Sequence, residues 1–159
     1  MTPTQHAEAR AKEPVSRCLI RHLIVPSIYW EAAWPEAEHH VDLLAIDRAG
    51  SGDVHIVEIK KKAADALKAV AQVMRIPAQY RWIAFFADTL DPKTKNALLN
   101  QRGLYPTEGP GRVGVIEIVR TAADTLGANI IIQAERFPGS LGELAESLKS
   151  RSKPDMSFD

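Results

Sequence analysis

Two β-rich runs on either side of a glycine turn constrain this chain more than any other feature. "HHVDLLAID" (39–47) and "VHIVEIK" (54–60) are rich in branched aliphatic residues, and "RAGSGD" between them supplies Gly50 and Gly52. The pattern predicts a hairpin of 41–47 against 54–60. Its open end gathers Asp42, Glu58 and Lys60. Glu58 and Lys60 are two residues apart, so on a strand their side chains leave the same face. Directly opposed residues of an antiparallel pair also share a face. Asp42 therefore joins them if it lies opposite Glu58 or Lys60, with paired residue numbers adding to 100 or 102. A loop centred on Gly50 or Ser51 gives that register. An odd sum would send Asp42 to the other face unless a bulge intervened.

Around the hairpin the chain alternates helix and strand. Pro14 suits a first helical turn, and Val15, Cys18, Leu19, His22 and Leu23 recur at helical spacing, which predicts a helix over 14–25 ended by Pro26. Residues 1–12 read as frayed. "SIYWEAAW" predicts a strand. "AADALKAVAQVMR" predicts one amphipathic helix with Leu67, Val70, Ala71 and Met74 on its apolar side and Lys68, Gln72 and Arg75 beside it. "YRWIAFFA" predicts a buried strand. Asp91 and Pro92 open a helix that Gly103 stops. "VGVIEIV" and "NIIIQAE" predict strands joined at a turn around Gly127, and Ser140 and Glu143 have capping-box spacing for a last helix. The order α-β-β-β-α-β-α-β-β-α defines an α/β class with a mixed central sheet flanked by helices. One domain spans 13–149, with 150–159 as a mobile tail.

Composition excludes several classes. With 20 basic and 20 acidic residues among 159, the chain has no net charge and is not a basic nucleic-acid coat protein. No apolar run is long enough to span a membrane and no signal peptide is visible. The single cysteine, Cys18, forms no intramolecular disulfide, fits a cytoplasmic location and reads as a core residue. Trp30, Trp34 and Trp82 read as core or interface. Walker-A, dinucleotide-binding, HExxH and GxSxG patterns are missing.

The charged end of the hairpin is the one place where residue types suggest chemistry. Mg²⁺ or Mn²⁺ takes one or two carboxylates plus water and substrate phosphate, so Asp42 and Glu58 suit such an ion. A nearby lysine, Lys60, can order the attacking water or stabilise charge developing on phosphate. The plainer alternative is a cross-strand ion pair worth ~0.5 kcal/mol. An acid-x-Lys triplet recurs at Asp91–Lys93, but there a helix start explains the acid, and Glu117 on a later strand is followed by Val119 instead of a lysine. His39 and His40 are adjacent on a strand, point to opposite faces, and do not readily share one ion.

"VDLLAID", the glycine turn, "VHIVEIKKK", a helix with "AVAQVMR" and then "YRWIAFF" together resemble the PD-(D/E)xK nuclease superfamily, in its restriction-endonuclease-like and RecB-like forms. The resemblance covers roughly 13–87 and implies an α-β-β-β-α-β core. It implies metal-dependent hydrolysis of phosphodiester bonds, in DNA more than RNA, in a repair, restriction or defence setting. It makes Asp42 and Glu58 the metal carboxylates, adds the carbonyl of Ile59 as a ligand, makes Lys60 the motif lysine and matches Gln72 to a glutamine on the following helix. Glu13, just before the first helix, matches the helix acid of some members, and Glu31 is the alternative third acid if its strand borders the hairpin. Lys61, Lys62, Lys68 and Arg75 would hold nucleic-acid phosphate. Val41 stands where the motif proline would be, and Ile76 where RecB-like members often carry tyrosine. The alternatives are a catalytically inactive module on the same fold, acting as a nucleic-acid-binding or accessory subunit, and a regulatory protein that binds a small phosphorylated ligand. A homodimer or partner protein could supply grip that the neutral surface lacks.

Overall fold

The structure, a computed structural model, describes residues 2–21, 26–33, 40–47, 52–99, 110–138 and 155–157. Helix α1 (Pro3–Ile20) comes first. Strands β1 (Pro26–Ala33), β2 (His40–Asp47) and β3 (Val54–Lys60) follow it. Next are α2 (Ala63–Lys68), α3 (Val70–Met74) and β4 (Tyr80–Phe86). A 3-10 turn at Ala87–Thr89 leads to α4 (Pro92–Leu99), then β5 (Gly114–Arg120), β6 (Leu126–Ile132) and β7 (Met156–Ser157). The strands form one seven-stranded sheet in the order β6-β5-β4-β3-β2-β1-β7. It is mixed: β3, β4 and β5 run parallel, and the remaining pairings are antiparallel.

The hairpin register is the one the charged residues require. Leu43 pairs with Val57 and Leu44 with Ile56, each pair adding to 100, which sets Asp42 opposite Glu58. Apolar residues cover both faces of the sheet. Ala11, Val15, Cys18 and Leu19 of α1 pack on Leu43, Val57, Ile59, Trp82 and Phe86. Ala63, Ala66, Val70 and Val73 of α2 and α3 pack on the other side, against Leu44, Ile56, Ile83 and Phe85. The fully buried central strands explain why "VHIVEIK" and "YRWIAFF" read as nearly continuous apolar runs.

Several expectations change. Residues 3–12 are helical, and Pro14 lies inside α1 instead of opening it. Thr2 caps the helix, with Gln5 completing a reciprocal capping box at 2.8 and 3.2 Å. The helix after the hairpin tightens at Ala69 into two short pieces. Its buried stripe is Ala63, Ala66, Val70 and Val73, while Ala71 is exposed and Leu67 and Met74 pack only partly. The turn between the last long strands falls at 121–125, and Gly127 lies within β6, paired with Val119. Part of the expected tail is ordered as β7 on the edge of β1, where Asp155 accepts the Trp30 N–H at 2.7 Å. Asp91 does cap its helix, accepting the Thr94 N–H at 2.7 Å. The expected helix at 140–149, Gly103, Trp34 and His39 lie outside the described residues.

Candidate active site

The site forms at the open end of the hairpin, where β2 begins, β3 ends and the first turns of α1 pass by. Two strands change facing there. Residues two apart normally share a face, yet Trp30 packs in the α1 layer and Ala32 in the opposite one. Across the ladder, Leu43 and Val41 divide in the same way. Glu31 and Asp42 occupy the two switch positions. Glu31 takes a left-handed φ of 50°, the backbone expression of that switch.

Asp42 and Glu58 meet in this frame. The Ile59 N–H donates to Asp42 Oδ2 at 2.8 Å, and the Asp42 charge acts on the neighbouring Glu58 carboxyl. Glu58 is 3% exposed, and its Oε1 is buried without a hydrogen-bond partner. Burial first and the Asp42 charge second push the Glu58 carboxyl up to about 8. Burial also raises Asp42, against the Ile59 N–H. Half-buried Lys60 draws both carboxyls down and does the same to Glu8.

Glu8 is the acid that the sequence reading missed. It accepts the Lys61 N–H at 3.3 Å, and burial raises its carboxyl. Gln5, Glu8, Ala9 and Lys12, one stripe of α1, form the wall of a cleft of about 500 Å³ completed by Glu31 and Asp42. The signal was present as Thr2-x-x-Gln5, a helix start placed before the acid. Glu13 does not reach this cleft. It bonds Arg17 on the exposed side of α1 at 2.9 Å and borders a separate groove with Arg10 and Trp30.

The remaining expected residues fall around the site instead of in it. The Lys61 side chain is half-buried, and Lys62, Lys68 and Arg75 are exposed. None of the four lines the cleft. Gln72 is half-buried on α3 and does not line the cleft. The Ile59 side chain is in the core and only its main chain reaches the site.

The donors are all oxygen, which suits a hard cation. Among the described residues no three of His, Cys, Asp and Glu converge into a ready-made cage. The set is a pair plus an approaching third acid. The orphaned Glu58 oxygen is nonetheless the kind of buried group that a cation satisfies.

Fold and site together define a mixed α/β protein with a buried carboxylate, a half-buried one and a lysine at one end of its hairpin. No family model and no curated protein matches the chain. Among solved structures it is similar to a protein of unknown function from Silicibacter pomeroyi, with a TM-score of 0.58 and 19% identity over 94% of this chain and 82% of that one. At this identity the likeness shows the fold alone. No helix among the described residues is long and apolar enough to cross a membrane.

Proposed function

We propose that this protein is a metal-dependent nuclease of the restriction-endonuclease-like fold that hydrolyses phosphodiester bonds, DNA being its preferred substrate. The observation that carries the reading is Glu58 Oε1, buried and unpartnered beside a second carboxyl. A polar atom in that state costs about 1–3 kcal/mol, and more when charged, unless a ligand offsets it. The order α1-β1-β2-β3-α2-α3-β4, with α2 and α3 in the place of one helix, and the Asp42–Glu58 pairing support the same reading.

Asp42 and Glu58 would hold Mg²⁺ or Mn²⁺, with the Ile59 carbonyl as the further ligand that the resemblance implies. A bound ion would polarise the phosphodiester and lower the pKa of a water. Glu58 must release its proton to bind, so loading strengthens as pH rises toward 8. Lys60, already acting on all three acids, places positive charge where the phosphate becomes more negative.

Cleavage of plasmid and single-stranded DNA with Mg²⁺ or with chelator tests the reading. Glu58→Ala abolishes cleavage and leaves the fold intact; persistent metal-dependent activity in that variant rejects the assignment. Lys60→Gln lowers turnover by about a hundredfold while calorimetric Mn²⁺ affinity stays close to wild type. A non-catalytic nucleic-acid-binding or accessory module is the second reading, favoured by the absence of Lys61, Lys62, Lys68 and Arg75 from the described lining of the cleft. DNA binding without metal-dependent cleavage supports it.

A further inference from the structure

Lys12 is the only cationic side chain among the described residues that line the cleft, which Asp42 also lines. Its position is fixed from two sides. The Ser16 hydroxyl donates to the Lys12 carbonyl at 2.6 Å and accepts the Trp30 indole N–H at 3.0 Å. That chain locks α1 to β1 one residue before Glu31. The Glu31 carboxylate then takes the Lys12 ammonium.

Magnitudes argue against a purely structural pair. Glu31 at φ 50° occupies a conformation that costs a non-glycine residue about 1–2 kcal/mol. Its side chain is 53% exposed, and an ion pair with so open a partner contributes only ~0–1 kcal/mol. The pair does not offset the strain. Neighbouring contacts maintain the conformation instead: Trp30 pairs with Leu43, Ala32 pairs with Val41, and Asp155 holds the Trp30 N–H. Strain held in place by surrounding structure gathers at ligand sites.

The nuclease reading supplies the ligand class, a phosphodiester drawn to the ion on the acid pair. Glu8, Glu31 and Asp42 line the cleft against one ammonium. Lys60 already acts on Glu8, Asp42 and Glu58. With that ion on the acid pair, a phosphodiester entering the cleft meets Lys12 as the cationic side chain of the described lining, its ammonium 15% exposed and held by Glu31. We propose that Lys12 binds a substrate phosphodiester beside the acid pair and that Glu31 is its positioning residue, holding the ammonium over the cleft. This rests on the nuclease reading above.

The test is binding of a fluorescent DNA duplex, with Ca²⁺ in place of Mg²⁺, across a salt series. Losing one phosphate contact in Lys12→Gln lowers the slope of log affinity against log salt by about 0.9. Lys12→Arg restores it, which a role confined to packing would not do. Glu31→Gln weakens binding when Lys12 is present and has no effect in the Lys12→Gln background. Wild-type affinity and slope in a folded Lys12→Gln protein overturn this inference alone. If that variant does not fold by circular dichroism, Glu31→Gln carries the test, and unchanged affinity and slope there overturn it. A wild-type protein with no metal-dependent DNA binding overturns both this inference and the nuclease reading.

Discussion

Strand β3 carries a buried polar cluster at each end, and the fold treats the two in opposite ways. At the start of the strand the groups are paired. His55 stacks on Tyr80 at 4.3 Å and its Nδ1 accepts the Trp82 indole N–H at 3.2 Å. Asp53 takes the Arg136 guanidinium through two bonds at 3.0 and 3.2 Å, and Gln79 accepts the Val54 N–H at 2.8 Å. At the end of the strand Glu58 is as well buried as His55, yet it keeps an oxygen without a partner and faces a second acid. Burial of polar groups alone does not mark a site, because a closed network stabilises one conformation and asks for nothing more. The incomplete network is the one that a ligand completes.

The largest expected effect comes from the pH dependence, which has opposite sign at the two ends. Glu58 shifts from an ordinary 4.5 to about 8. Between those values the native state holds a proton that the unfolded chain has released, so stability is full below 4.5 and is lost as pH rises through 8. His55 moves down from 6.5 to about 4, so stability is present above 6.5 and is lost as pH falls through 4. The Glu58 contribution is on the order of a few kcal/mol. Thermal melts of the metal-free protein should therefore decline from pH 6.5 to 8. Glu58→Gln removes that decline and leaves the acid-side loss from His55. Saturating Mg²⁺ restores stability above pH 7 in wild type and not in Glu58→Gln. A Glu58→Gln profile with the wild-type shape would break the comparison.

Breaking the paired end gives a smaller change with a different signature. Trp82→Phe leaves His55 Nδ1 a buried acceptor without its donor and costs about 1–3 kcal/mol in denaturant unfolding. Metal affinity should stay unchanged, because the lesion lies at the other end of the strand. A coupled loss of metal binding would show that the two clusters act as one network. The smallest effect is expected from Thr2→Ala, which opens the capping box of α1 and costs ~1 kcal/mol. Amide exchange at Gln5 and His6 quickens, and metal affinity falls slightly through a less fixed Glu8.

How much of this was legible follows from the range of each interaction. The Asp42–Glu58 pairing could be read because a short hairpin ties register to loop length, and the observed pairs add to 100. Glu8 was hidden by Pro14. Proline normally opens a helix or breaks one, so residues 1–12 read as frayed, although Thr2 and Gln5 carried a start signal. Glu31 was named only as an alternative acid. Its left-handed backbone and its hold on Lys12 depend on the β1–β2 pairing and on α1, and neither leaves a mark in local sequence. Gln72 came from the resemblance and Lys68 and Arg75 from a polar stripe at helical spacing, and such spacing places residues on a face but does not say how far that face lies from a strand end.

The bond from the Trp30 N–H to Asp155 joins positions 125 residues apart. A contact of that span closes a long loop and forms late relative to helices and hairpins. The backbone beside Glu31 therefore lacks this brace until the segment carrying Asp155 has been synthesised. Asp42 and Glu58, by contrast, can meet as soon as their hairpin closes. On a growing chain the acid pair precedes the completed wall of the cleft, whose brace waits for the segment that carries Asp155.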